Sequence, residues 1–438
     1  MTSAAERVEA ALARIEGRNG EVNAFTDVLA DRARRTAAAL DAGAPTRPLT
    51  GVPFAVKNLF DVAGIPTRAG SKIWERRPPA ARDAFAIRRL EAAGAVLVGT
   101  LNMDEFASGF TTENTHCGPT RNPHDLSRMA GGSSGGSGAA VAAGMVPLTL
   151  GSDTNGSIRV PAAACGVWGL KPTYGRLSRA GAALFAESLD HIGPLAADLD
   201  ILEAAYATMQ GADPEDPVQA SAPSIDPAPE RIRVRLAAGP HFERCDDEGR
   251  ARTAEAGVAL DALAPIELPG VEQGWAASLV VTLIEGSSAH IADLRADPLG
   301  FDPMTRDRFL AGALVPAEAY LSAQRARRLW RERCLASLAE TDVLVTPGAP
   351  FAAPPIGCDS VEIAGETMNP RGAFGLFTQP FSAIGLPALT VPLHGLGLPR
   401  AVQLVAKPWR EDLLFAAAHR LVDVGLAEAR IANEEAWP

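Results

Sequence analysis

Residues 131–172 read GGSSGGSGAAVAAGMVPLTLGSDTNGSIRVPAAACGVWGLKP, and how this stretch is read decides the fold. It holds two glycine-rich turns, each carrying a serine, with Ser133 and Ser157 standing 24 residues apart. Between them AAVAAG starts a helix and Val146–Leu150 has the length and apolarity of a buried strand. A flexible linker does not suit glycines that sit between two apolar elements. A phosphate-cradling loop needs a G-K-[ST] ending or a preceding strand, and the segment has neither. Gly132-Ser133-Ser134-Gly135-Gly136 satisfies G-x-S-x-G, the nucleophile elbow, which would make Ser134 the nucleophile. That elbow follows directly on a strand, whereas RNPHDLSRMA before it is rich in turn formers.

Working outward, further short β-rich runs appear at Val52–Val56 before Lys57 and at Ala95–Val98 before Gly99, with a helical pattern at Asp83–Ala93 between them. This alternation predicts an α/β fold in which a large twisted sheet is covered by helices on both faces. Val8, Leu12 and Ile15 recur at helical spacing, so residues 1–48 read as N-terminal helices packed on the core that occupies 49–211. GADPEDPVQASAPSIDPAP, from Gly211 to Pro229, breaks every periodic pattern and reads as an exposed connection. Residues from about 230 to 340 read as a helical insertion, clearest at Ala317–Leu338. Strand signals return at Val343–Thr346, Ala388–Val391 and Val402–Val405, followed by a helix from about Glu411. The whole is expected to be a single domain whose core resumes over 341–438.

The composition excludes several classes of function. With 41 Lys+Arg against 52 Asp+Glu, the formal net charge of −11 and the lack of a long basic run argue against nucleic acid as a partner. The most apolar stretch, near Leu279–Ile284, is far shorter than a bilayer span, and the charged N-terminus has no signal-peptide core. Five scattered cysteines and seven histidines show no metal-ligand spacing, which points to a reducing, cytoplasmic location, no disulfide framework and no metal. No cofactor is expected.

The 131–172 segment resembles the amidase signature. The likeness continues through GVPFAVKNLFDVAG around Lys57, LNMDEFASG around Met103, SLDHIGP around Asp190 and FTQPFSAIGLPALTVP near the C-terminus. It is weak only between about 212 and 340. The resemblance implies an amidohydrolase in which Ser157 attacks the carbonyl, Ser133, preceded by a cis peptide bond after Gly132, relays the proton, and Lys57 is the base. It implies an oxyanion hole from the backbone N–H groups of Thr154, Asn155, Gly156 and Ser157, with Ser134, Asp153 and Arg159 as supports. An amide needs this assistance because its carbonyl is a poor electrophile. A lysine serves as base only when burial lowers its pKa, and the apolar approach Pro53-Phe54-Ala55-Val56 suits that.

At position 155 the family's usual residue is glycine, and asparagine tolerates positive φ better than most. Its side chain is expected to narrow the pocket or read the substrate. Within the family the chain is most similar to the branch acting on carboxybiuret, and next to the glutamine-hydrolysing subunits of tRNA-dependent amidotransferases. By that likeness Arg308 in TRDRFLAGA reads a substrate carboxylate, while Gly375 stands where those glutamine-hydrolysing subunits place an aspartate for the α-ammonium. Arg371 in NPRGAF, able to bind a carboxylate in bidentate fashion, is a candidate second reader, with a solvated surface arginine as the alternative. The resemblance also implies a shortened first helix, leaving apolar surface near the N-terminus, and a small accessory subunit on a homodimeric core within a heterotetramer. His116 and His191 lie beside the motifs and are expected to pack or hydrogen-bond. A noncatalytic scaffold subunit is the alternative to an enzyme.

Overall fold

The computed structural model describes residues 2–43, 45–224, 227–395 and 397–432. Eleven strands form one mixed sheet: β1 (Phe25–Val28), β2 (Pro53–Lys57), β3 (Val96–Leu101), β4 (Leu148–Asp153), β5 (Trp168–Lys171), β6 (His191–Ala196), β7 (Val234–Ala238), β8 (Leu263–Glu267), β9 (Val343–Pro347), β10 (Ala388–Leu393) and β11 (Arg400–Ala406). Their order is β1-β3-β2-β4-β6-β5-β10-β11-β9-β7-β8. Near one edge β3, β2 and β4 run parallel; the middle of the sheet is antiparallel. β7 and β8 extend it beyond β9 with parallel pairing.

The helices follow the same order along the chain: α1 (Ala4–Val22), α2 (Ala30–Asp41), α3 (Phe85–Ala92), α4 (Gly135–Ala142), α5 (Arg159–Cys165), α6 (Leu199–Met209), α7 (Asp247–Ala259), α8 (Val271–Ala296), α9 (Pro303–Ala313), α10 (Ala317–Ser337), α11 (Gln379–Ala383) and α12 (Glu411–Asp423). α1 begins at a capping box in which Ser3 Oγ accepts from Glu6 N and Glu6 returns a carboxylate to Ser3 N, which answers two N–H groups that a helix start leaves open. The stripe Val8, Ala11, Leu12 and Ile15 is buried. β2 and β4 are buried at every residue; covered on both faces, they read as continuous apolar runs and not as an alternation. Burying a side chain such as Phe54 there is worth about 1.5–3 kcal/mol.

Four expectations are adjusted. The N-terminal 48 residues are not helix alone, since β1 pairs with β3. The helical stretch after residue 230 contributes two strands, β7 and β8, to the sheet. The connection from Gly211 forms no helix or strand among its described residues (225 and 226 lie outside them) and its second half is exposed. Its first half is docked, because buried Asp216 pairs with Arg179 at 3.0 Å and Asp213 accepts from Ser178 Oγ at 2.5 Å. The α1 stripe is covered, and among the described N-terminal residues Val28 is the only exposed large apolar side chain; more such side chains are exposed at Leu299, Met304, Leu310, Leu314 and Leu321.

Candidate active site

Lys57 is the last residue of β2, and the turn carrying Ser157 follows directly on β4. Both lie at the carboxyl ends of adjacent parallel strands, where open α/β sheets place their ligand sites. Ser133 lies in the loop leading into α4, after a cis peptide bond between Gly132 and Ser133. Lys57 Nζ stands 2.6 Å from Ser133 Oγ and 2.9 Å from Ser152 Oγ. Lys57 is fully buried. Burial lowers its pKa to about 7, the carboxylates of Asp104, Asp190 and Asp153 pulling weakly the other way. A neutral amine, able to accept a proton, is therefore accessible near pH 7.

The second serine is brought to the first by backbone: Ser134 N donates to Ser157 O at 3.2 Å. Ser134 Oγ is buried and donates to Ser152 O at 3.1 Å, so it is a brace and not the exposed hydroxyl that an elbow would present. A strand does precede this loop, at Asp125–Met129, contrary to the turn-rich reading, but it belongs to a separate two-stranded ribbon outside the main sheet.

The turn 154–157 is held from several sides. Thr154 Oγ1 donates to buried Asp190 at 2.5 Å. Thr378 Oγ1 donates to Asn155 O at 2.6 Å. Gly156 has φ +139°, and a Cβ there would stand 2.1 Å from Thr378 Oγ1, so only glycine fits. Beneath the turn Asp153 and Arg159, both with no exposed side-chain surface, form a bidentate pair at 2.9 Å and 2.9 Å. Burial would raise the Asp153 pKa, yet the Arg159 charge and hydrogen bonds outweigh it and hold the carboxyl well below its usual range. Arg159 also donates to Thr378 O, Gln403 and Ser382, which satisfies a buried charge that would otherwise be very costly.

Ser157 opens onto a cleft of about 370 Å³ lined by Phe110, Thr154, Asn155, Phe185, Leu279, Leu283, Met304, Arg308 and Arg371 among others. Arg308 projects from α9, with its guanidinium 5.6 Å from the Phe185 ring centroid. No described carboxylate pairs with it. Its pKa is lowered by burial, opposed by the Asp104 charge. Arg371, the candidate second reader, also lines the cleft, and its guanidinium is paired with Glu113 at 3.1 Å. Asn155 lines the cleft too, yet its amide is turned toward α8: Nδ2 donates to Thr282 Oγ1 at 2.7 Å, and Ser278 Oγ donates to Oδ1 at 2.5 Å. His191 contacts Asp153 O and Lys171, and His116 contacts Glu105.

Sequence reasoning missed Ser152, Thr378 and the Ser278–Thr282 pair. Ser152 had a signal: β2 and β4 are parallel with Val56 opposite Leu150, so the side chain two residues beyond Leu150 on the same face meets the end of β2. Thr378 and α8 come from far along the chain, and no local pattern announces their approach.

Such a sheet, with a buried lysine and a serine-bearing turn at the ends of adjacent parallel strands and a second serine bonded to the lysine, defines an amide-bond hydrolase. The family described as Amidase matches residues 6–415, and the chain belongs to this amidase-signature family. It is 49% identical to AtzE, a 1-carboxybiuret hydrolase polypeptide of Pseudomonas sp. (strain ADP), over 98% of this chain and 97% of that one. It is 40% identical to a glutamyl-tRNA(Gln) amidotransferase polypeptide of Anaeromyxobacter dehalogenans (strain 2CP-C), over 96% and 92%. Among solved structures it matches, with TM-score 0.95 and 49% identity over 98% of this chain and 96% of that chain, a vestigial protein complex described as revealing the evolutionary origins of an s-triazine catabolic enzyme. Among the described residues no cluster of His, Cys, Asp or Glu suits a metal ion, and no helix is long and apolar enough to cross a membrane.

Proposed function

We propose that the enzyme hydrolyses a small carboxylated urea-type amide, carboxybiuret, and releases ammonia through an acyl-enzyme. The observation that carries this reading is a buried Lys57–Ser133 pair behind the turn of Ser157, together with Arg308, which lines the same cleft as Ser157 and has no carboxylate partner among the described residues. Ser157 Oγ attacks the terminal carbonyl while its proton passes through Ser133 to neutral Lys57. The tetrahedral oxyanion is met by backbone N–H groups of the 154–157 turn, each worth about 3 kcal/mol in comparable chemistry. The C–N bond then breaks as Lys57 returns the proton, by way of Ser133, to the departing nitrogen. Water repeats the sequence on the acyl-enzyme and frees the acid.

The carboxylate on the substrate pairs with Arg308. Position 375 offers no carboxylate to an α-amino group, because the place of a side chain is filled by Phe110: a Cβ on Gly375 would stand 2.5 Å from its ring. This favours carboxybiuret over glutamine, and the likeness to AtzE supports the same choice. The reading extends to a small accessory subunit on a homodimeric core of a heterotetramer, supported by the description of the matched structure as a complex. It places the enzyme in a reducing cytoplasm, supported by five unpaired cysteines.

The test is ammonia release from carboxybiuret, biuret, glutamine and malonamate by the purified chain, alone or together with any small partner that copurifies, with Ser157→Ala as control. Release from carboxybiuret that Ser157→Ala abolishes is expected. Preference for glutamine moves the chain to the amidotransferase branch, and no release from any of the four substrates returns it to a scaffold role.

A further inference from the structure

Asn155 stands in the turn beside the nucleophile, yet its side chain is spent on a helix from a distant part of the chain. The bonds link the three side chains in one closed pattern. Asn155 Nδ2 donates to Thr282 Oγ1, Thr282 Oγ1 donates to Ser278 O at 2.6 Å, and Ser278 Oγ donates to Asn155 Oδ1. Ser278 and Thr282 are one turn apart on α8, so they face the same way, and both are fully buried. The adjacent turn of α8 carries Leu283, whose side chain lines the cleft.

α9 approaches that turn closely. A Cβ on Gly312 would stand 2.0 Å from Ser287 Oγ and 2.3 Å from Leu283 O, so α9 rests almost backbone to backbone on α8 at this point. Gly312 and Arg308 are four residues apart on α9 and share a face. A short rigid path thus runs from the oxyanion turn through Asn155, Thr282 and Leu283 to Gly312 and Arg308.

We propose that the Asn155 side chain, clasped by Ser278 and Thr282, is a specificity-determining positioning residue that sets the separation between the nucleophile's turn and Arg308. The enzyme thereby selects amides whose carboxylate lies at a matching distance from the scissile carbonyl. The inference rests on the reading of Arg308 as carboxylate anchor, and deepens it by naming what fixes the anchor's distance. A displacement of about 1 Å in such an arrangement costs up to about a hundredfold in rate.

A double-mutant cycle on the full-length enzyme, with its small partner if one copurifies, tests this through kcat and KM for carboxybiuret. The clasp is broken from its far side by Ser278→Ala with Thr282→Val, the anchor is weakened by Arg308→Lys, and the two are combined. The clasp variant is expected to lose about tenfold in kcat/KM, mostly in kcat, with Thr282→Ser close to wild type. In the Arg308→Lys background the same change is expected to cost less than about twofold. Equal losses in both backgrounds would show a clasp that merely supports the turn, and no loss in either would show it idle; each overturns the inference while leaving the anchor intact. An Arg308→Lys enzyme as active as wild type on carboxybiuret overturns the anchor itself. Thermal unfolding accompanies each variant, and Thr282→Val alone replaces the double change where that one does not fold.

Discussion

The floor of the cleft and its far wall are built on opposite terms. The floor is the carboxyl ends of β2 and β4, where Lys57, Ser133, Ser152, Asp153 and Arg159 are buried and almost every polar atom is answered within the core. The wall is α8 and α9, where Arg308 lines the cleft with no carboxylate partner among the described residues. A satisfied network holds its geometry without a ligand, whereas an unpaired guanidinium gains most when a ligand supplies the missing charge. On the proposed mechanism the amide-cleaving step belongs to the floor and the choice of amide to the wall.

The sharpest way to break the comparison is to disable the floor without loosening it. Lys57→Met keeps the length and apolar stem of the side chain and removes the amine. On the proposed mechanism, activity on carboxybiuret falls by at least about 10⁴-fold. Stability at neutral pH is expected to hold or rise. The folded-state pKa of about 7 lies below the unfolded lysine value of about 10.4, so between those limits the unfolded chain binds more protons and the native lysine costs stability. Ammonia release and thermal unfolding, measured together at pH 7 and pH 9, check both halves. Activity that survives would show that the floor is not the source of the chemistry.

The wall is tested next by Arg308→Ala, expected to lower kcat/KM for carboxybiuret by about a hundredfold through loss of a charge-assisted contact. Biuret, which lacks the carboxylate, should change far less. Equal losses on both substrates would make Arg308 a structural residue and erase the difference between floor and wall.

How much of this was legible in the sequence follows the same division. β2 and α10 were readable to within a residue and β4 to within three, because continuous apolar runs bounded by turn formers, and a long amphipathic pattern, are local signals. Lys57, Ser133 and Ser157 were named through the resemblance of their segments to the amidase signature, not from the turns alone, which also fitted an elbow at Ser134. β7 and β8 were missed: β8 has an exposed burial pattern and lies at the sheet edge, where little alternation is imposed. The pairing of Arg371 with Glu113 was equally hidden, since the two are brought together only by the tertiary fold. So were Ser278 and Thr282, small polar residues inside an apolar helix that looked unremarkable until the turn they grip was in view.

A smaller effect probes how the floor is tuned. Asp104 is buried, its Oδ2 has no hydrogen-bond partner among the described residues, and burial raises its pKa to about 6. Above that value it is ionised and favours protonated Lys57, because its charge raises the lysine pKa. Wild-type kcat/KM should therefore rise with pH through about 7 as Lys57 loses its proton. In Asp104→Asn this acid limb should move to lower pH, since the neutral amide no longer holds the proton on the lysine. A limb that stays in place would show that the pH dependence arises elsewhere.

Arg371 gives the smallest expected change. It lines the same cleft as Arg308 and has the same chemistry, but Glu113 already lies 3.1 Å away. A substrate carboxylate near Arg371 would meet that carboxylate as well, and the attraction to one would be offset by repulsion from the other. Arg371→Ala is accordingly expected to alter kcat/KM for carboxybiuret by no more than about threefold, in line with a partly exposed ion pair. In Glu113→Gln the guanidinium is released, and tighter binding of carboxylated substrates, read as a lower KM, should follow. A hundredfold loss on Arg371→Ala, equal to that at Arg308, would mean that the substrate displaces Glu113 on binding and that two arginines read the carboxylate.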